Sequence, residues 1–400
     1  MSAPRVEIDL DKIEQNTRTL VDRLTPRGIR VTGITKATLG SPGIGAAMVS
    51  GGAVGLGDSR LQNLSRLAGL GGSTSRTLIR SPMLSQAGQV VRVANASLNT
   101  ERAVLDALGA AAVRYRRTHD VVLMVELGDL REGIPADELL AAAGSVLDRP
   151  ALRLVGIGTN LACQNGVVPD DANMGELTRL ALQVEHAHGV CLEIVSGGNS
   201  ANLGWAMTTA DVGRIDELRL GEAILLGTEP LHRTPIDGLH TDAFRLYAEV
   251  IEVREKPAQP WGDRAQTAFG EFPERTGTGT VRQAILAVGR HDVDPEGLIP
   301  PAGITMLGAS SDHLVLDVGD HPIAVGDEVE LALGYGALVR AMTSPFVTHI
   351  EHQRLQAMAP SAGAVEEHEP VPPLVLRDRP LATAPDRRDP AAGRGRPGPR

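Results

Sequence analysis

Lys36 closes the run "VTGITK" (31–36), in which β-branched residues favour a strand, and Gly40 breaks the chain four residues later. A strand that ends on lysine must either desolvate an ammonium group or use it. Desolvation lowers the pKa of a lysine towards the range in which the free amine is a nucleophile. Other polar groups close later apolar runs. They are Asp58 with Ser59 and Arg60, Arg80, Asn99, Glu126 with Arg131 just beyond, Asn160, "SGGNS" (196–200), and Arg219 followed by "GEA" (221–223). Several are cationic although the chain carries a net charge of -10, so a local positive cluster for an anionic ligand is expected.

What would bring these ends together is the element pattern. "VTGITK", "VGLGDS", "TLIRSP", "ASLNT", "VVLMVELG", "LRLVGIGTNL", "LEIVSGGN" and "LRLGEAILLG" read as strands. Helical patterns such as "RLQNLSRLAGL" and "ERAVLDALGAAAVRYRR" lie between them. Eight strands with helical connections, ending near Gly227, give the count of a (β/α)8 TIM-type barrel, in which the C-terminal strand ends gather. A doubly wound sheet shows the same alternation, but no GxGxxG follows the first strand. After residue 238 the rhythm changes to strand and turn, as in "FRLYAEVIEVRE" and "HLVLDVG". The expected organisation is therefore a barrel over 1–238, an all-β C-terminal domain over 239–355 and a Pro/Arg-rich tail over 356–400. The tail is too poor in apolar residues to order itself.

Composition excludes several classes. Hydrophobic residues make up 42% of the chain, with only four Phe, three Tyr and two Trp, so the core must be aliphatic, which suits buried parallel strands. The acidic balance argues against a nucleic-acid partner. Cys163 and Cys191 show no CxxC spacing, so no metal site is expected, and they read as reduced thiols of a cytoplasmic protein. No apolar run is long enough to span a bilayer, so no membrane partner is expected.

In barrels the loops after strands seven and eight often hold phosphate. Here those loops are "SGGNSANL" and "LGEA", whose small residues leave backbone N–H groups able to cradle an anion. A lysine at the end of the first barrel strand, facing a phosphate site, is the arrangement of a pyridoxal 5'-phosphate enzyme, in which the amine forms a Schiff base. The competing assignment is a structural ion pair between Lys36 and Asp58.

The motifs also carry a resemblance. "VEIDLDKIEQNTRTL", "TKA", "VELGDLREGI", "GIGTNLA", "SGGNSA" and "RLGEAILLG" resemble, in order, segments of the fold-type III pyridoxal phosphate enzymes, the alanine racemase-like superfamily. "SPMLS", "GLHTDAF", "GRHDVDPEGLIP", "GASSDHL" and "YGALVRAMTSPFV" resemble its alanine/ornithine racemase branch, and the likeness spans about 5–350. The resemblance implies an isomerase that interconverts L- and D-amino acids, such as ornithine or alanine, by two-base proton transfer at Cα. It implies Lys36 as Schiff-base lysine and one base, and Arg219 as donor to the pyridine nitrogen. Ser200, Gly221 and the backbone of Glu222 would hold the phosphate, with Ser196, Gly197 and Asn199 in the same loop. Asn160 would stand beside the cofactor ring, and Arg131 would pair with the substrate carboxylate. It also implies a homodimer with a composite active site and a small-molecule amino-acid substrate.

Three positions depart from the alanine racemase pattern. Gly40 stands where those enzymes carry a tyrosine reaching the phosphate. Asn160 stands where they carry a histidine. Phe269 in "TAFGEF" stands where the partner subunit's tyrosine base is expected, and a phenyl ring takes no proton. The candidates for the second base are His291, Asp292, Asp312, His313 and Tyr335 in the C-terminal domain. Another reaction of this fold type, such as a decarboxylase or D-amino-acid lyase, or a non-catalytic pyridoxal phosphate carrier, stays open from the sequence.

Overall fold

The computed structural model describes residues 3–353 except 72–73, 271–274 and 276, so the expected tail over 356–400 lies outside the described residues. The chain begins with β1 (Arg5–Asp9) and α1 (Leu10–Leu24). The carboxylate of Asp9 caps α1 by accepting the N–H of Lys12 at 3.0 Å. Leu10, Ile13, Leu20 and Leu24 then form the buried stripe of an amphipathic helix.

Eight parallel strands follow and close on themselves. They are β2 (Arg30–Ile34), β3 (Gly55–Asp58), β4 (Ser75–Leu78), β5 (Ala96–Asn99), β6 (His119–Met124), β7 (Leu152–Gly158), β8 (Ile194–Ser196) and β9 (Glu217–Leu220). The pleat divides their side chains between two environments. Val121 and Leu123 join the large aliphatic core under the helices, whereas Val122 and Met124 join Leu98 and Val155 in a separate apolar cluster inside the barrel. The eight runs expected to be strands supply these strands, with shifted ends. β2 stops at Ile34, so Lys36 opens a single 3-10 turn (Lys36–Thr38) rather than ending a strand. "LRLGEAILLG" splits at Gly221, where β9 gives way to the helix Glu222–Leu226.

The C-terminal part contains β10 (Phe244–Pro257), β11 (Thr280–Leu286), β12 (Leu298–Ile299), β13 (Thr305–Ala309), β14 (Leu314–Asp317), β15 (Glu328–Leu333) and β16 (Thr348–His352). Their order is β12-β15-β10-β11-β14-β13. β1 belongs to this sheet, although 1–238 was expected to be the barrel unit. Val6 lies opposite Leu246 of β10 and His349 of β16, and the side chains of Val6 and Ile8 are fully buried there. Arg5 secures the strand by ion pairs to Glu328 at 2.6 Å and Glu7 at 2.8 Å. The domain is also not purely β. The helix Tyr335–Thr343 buries Ala337, Leu338, Ala341 and Met342 and packs on the Lys36–Thr38 turn, which carries Tyr335 to the barrel mouth.

Candidate active site

A cavity of about 250 Å³ opens at the C-terminal ends of the barrel strands, lined by Lys36, Asn160, Cys163, Asn199, Ser200, Arg219, Gly221, Glu222, Arg233 and Tyr335 among others. Lys36 keeps exposed surface because its amine faces the void, yet protein surrounds it. Burial pushes the ammonium pKa below the ordinary lysine value. Arg131 and Arg219 push the same way, and Cys163 and Asp58 oppose them. The ion pair with Asp58 does not form. Asp58 instead accepts from Thr35 Oγ1 at 2.8 Å, the N–H of Arg60 at 2.9 Å and Asn63 Nδ2 at 3.0 Å. Lys36 makes no ion pair among the described residues.

Arg219, 5% exposed, is fixed behind the cavity. Its Nη2 donates to the carbonyl of Thr159 at 2.7 Å and its Nη1 to Ser196 Oγ. Ser196 thus orients Arg219 and does not line the cavity, contrary to its grouping with the phosphate loop. Gly197 is a packing position, since a Cβ there would stand 2.7 Å from Ile215 Cγ2. Asn199 Nδ2 donates to the carbonyl of Leu161 at 2.8 Å and to Asn160 Oδ1 at 3.2 Å. That contact holds Asn160 by its oxygen and leaves its Nδ2 buried without a partner. An orphaned buried amide costs about 1–3 kcal/mol, so the lining is arranged for an acceptor that completes it. Ser200 Oγ accepts from the N–H groups of Ala223 at 3.2 Å and Gly221 at 3.4 Å, and a Cβ on Gly221 would crowd Ile34 Cβ at 3.2 Å. An unpaired amine, an orphaned amide donor, a hydroxyl and a glycine-walled turn fit pyridoxal phosphate.

Arg131 does not line this cavity. Its guanidinium grips Glu132, with contacts of 2.5 and 2.6 Å, and its Nη1 donates to Cys163 Sγ at 3.2 Å. Asp129 is buried and accepts four backbone N–H groups, from Cys163, Gln164, Asn165 and Val167, at 2.9–3.4 Å. Burial raises its pKa, but those four bonds together hold it below the usual carboxylate value. Glu126 likewise accepts from Gly128 and Leu130. These two carboxylates hold the loops above the barrel.

Of the candidate second bases, His291 and Asp312 come together, with Nδ1 and Oδ1 3.4 Å apart, on an exposed face of the β domain. His313 lies 3.5 Å from Ser310 Oγ. Asp292 is turned inward, 8% exposed, and accepts from Ser344 Oγ at 3.0 Å and the N–H of Gly289 at 3.3 Å, so both its oxygens are engaged inside the domain and it lies away from the cavity lining. Tyr335 alone of the set enters this cavity. Burial, with Glu222, Cys163 and Asp58 nearby, pushes its hydroxyl up to about 12, so it keeps its proton. Phe269 is exposed and lies under the Arg290 guanidinium at 5.2 Å. Sequence reasoning missed Cys163 and Arg233. Cys163 follows Asn160 by three residues in the loop after β7, a position that marks it. Nothing in the local pattern around Arg233 does so.

Among the described residues, no three His, Cys, Asp or Glu side chains gather as a metal site, and no helix is long and apolar enough to cross a membrane. The chain is 36% identical over 353 residues to a lysine racemase of Thermotoga maritima, an alignment covering 88% of this chain and 99% of the relative. It is 35% identical over 352 residues to an ornithine racemase of Acetoanaerobium sticklandii, covering 86% and 98%. The fold is similar to that of the alanine racemase of Streptomyces coelicolor A3(2), with a TM-score of 0.68 at 20% identity over 87% of this chain and 97% of that one. Residues 8–230 match the model of the alanine racemase N-terminal domain, and the chain belongs to that family.

Proposed function

We propose that the protein is a pyridoxal phosphate-dependent amino-acid racemase whose substrate is a basic amino acid such as lysine or ornithine. The racemase reading draws on the two racemases alignable over nearly their whole length. The substrate assignment rests on the same two relatives. The observation that carries the chemistry is the unpaired amine of Lys36, facing a cavity backed by the immobilised Arg219.

Lys36 would hold the cofactor, with Ser200 and the amides at Gly221 and Glu222 on its phosphate and Asn160 Nδ2 beside it. When bound, pyridoxal phosphate supplies an electron sink that acidifies the Cα–H of an attached amino acid. Arg219 would face the ring nitrogen. A guanidinium never gives up its proton, so it leaves that nitrogen unprotonated and restrains side reactions. Arg131, released from Glu132, would pair with the substrate carboxylate through its two-pronged donor set. Lys36, its pKa lowered by burial, is suited to move the Cα proton on one face. Racemisation needs a second group on the other face. The exposed His291–Asp312 pair, presented by a second copy of the chain in a homodimer, is our assignment for it, with His313 beside it.

Purified protein incubated with pyridoxal phosphate and a panel of L- and D-amino acids tests this. Loss of optical rotation with solvent-deuterium uptake at Cα is expected, fastest for lysine or ornithine. The visible cofactor band should vanish in Lys36→Ala. An unchanged band in that variant would overturn the assignment of Lys36.

A further inference from the structure

We infer that Arg233 completes the phosphate end of this cavity, where it offsets the carboxylate of Glu222. The inference rests on the pyridoxal phosphate reading above and adds a residue from outside the eight strand ends. Glu222 lines the cavity beside Gly221 and Ser200, and its side chain is only 12% exposed. A carboxylate in that place repels a phosphate dianion unless a cation stands against it. Arg233 Nη1 lies 3.4 Å from Glu222 Oε1, and Arg233 is the ion-pair partner of Glu222 among the described residues. The other charged groups acting on Glu222 are Lys36, whose amine is reserved for the cofactor aldehyde, and Glu229, which has the wrong sign.

The loop is built to keep Arg233 in place. The Glu229 carboxylate accepts the N–H groups of Leu231 at 2.7 Å, His232 at 2.9 Å and Thr234 at 3.1 Å, and the hydroxyl of Thr234 at 2.8 Å. Thr228 and Pro235 form a bridge that closes the loop base. Arg233 itself has φ of +57°, a left-handed conformation that is costly for a residue with a side chain. Its side chain is 65% exposed, and its guanidinium is engaged through Nη1 on Glu222, which leaves most of its five donors available. Gly40 cannot carry the phosphate-reaching side chain that the alanine racemase pattern places there, because a Cβ would stand 2.7 Å from the carbonyl oxygen of Asn63. A guanidinium entering from the loop after β9 supplies a phosphate donor by another route.

The test is titration of the apoenzyme with pyridoxal phosphate and, separately, with pyridoxal, followed by the visible absorbance of the bound aldehyde. In Arg233→Ala the Kd for pyridoxal phosphate should rise about 10- to 100-fold, the range for losing a charge-assisted hydrogen bond. The Kd for pyridoxal should change less than about twofold, which also shows that the variant is folded. Adding Glu222→Gln to Arg233→Ala should recover part of the loss, because the uncompensated carboxylate is gone. Unchanged phosphate-ester affinity, or equal weakening for both aldehydes, would overturn the inference while leaving the cofactor reading intact. Failure of the wild-type protein to bind pyridoxal phosphate would overturn both.

Discussion

The carbonyl oxygen of Asn63 lies 2.7 Å from where a Cβ on Gly40 would stand, and Gly40 adopts φ of +65°. The close approach of the Asn63 backbone excludes a side chain there, and the left-handed conformation adds to its cost, so a tyrosine is excluded and not merely absent. Gly40→Ala should therefore destabilise the fold. The left-handed conformation costs roughly 1–2 kcal/mol and overpacking roughly 1–3 kcal/mol more. Urea unfolding of the variant measures the sum, and a loss below about 1 kcal/mol would show that the turn yields easily.

Cys163 lines the cavity, with Arg131 Nη1 3.2 Å from its sulfur. The thiol is exposed within that lining. Iodoacetamide should therefore modify Cys163 and abolish activity, and bound cofactor with substrate should slow the modification. Cys191 is also exposed but is absent from the cavity lining, so its labelling should leave activity unchanged. Peptide mapping of labelled protein, with activity followed in parallel, distinguishes the two. Full activity after stoichiometric labelling of Cys163 would contradict its placement.

Asp129 satisfies four backbone N–H groups of the loop that carries Cys163. Asp129→Ala leaves them in need of partners at a cost of about 1–3 kcal/mol, and water relieves part of it. The loop also positions Arg131 through Cys163, so KM for the amino acid should rise more than kcat falls. A variant with wild-type KM would show that the loop holds its shape without the carboxylate.

The barrel was legible because its strands are short, almost continuously buried apolar runs and its helices carry 3.6-residue stripes. Lys36, Arg219 and the "SGGNS" and "GEA" loops followed once strand ends were known to converge. Other features were not legible for physical reasons. β1 looks like any edge strand, and only pairing with Leu246 and His349, distant in sequence, shows which sheet it joins. The Tyr335–Thr343 helix follows β15 through a single glycine, and the expected all-β domain over 239–355 left no place for it. Asp292 and Asp312 look alike in sequence. One is buried against Ser344 while the other is exposed, a difference set by the packing of the helix end onto the Gly289 turn.

His119, at the start of β6, is 1% exposed and shares a 2.8 Å hydrogen bond with Ser97 Oγ. Burial lowers its pKa from 6.5 to about 4, and Asp120 opposes only weakly. The folded state therefore keeps the ring neutral while the unfolded chain binds a proton below pH 6.5. Because the unfolded state binds more protons in this window, stability rises with pH there and is lost as pH falls. The sign is the one for a depressed pKa: full stability above the unfolded value, and loss through the interval from 6.5 down to about 4. At about pH 4.5 the loss from this residue should reach roughly 2–3 kcal/mol. Urea unfolding at about pH 7.5 and about pH 4.5, in wild type and in His119→Asn, isolates that contribution from the carboxylates that titrate in both proteins. The variant should start less stable at the higher pH, because the hydrogen bond between Ser97 and His119 is lost, yet lose less on acidification. Equal acid losses in the two proteins would show that His119 is already protonated in the barrel.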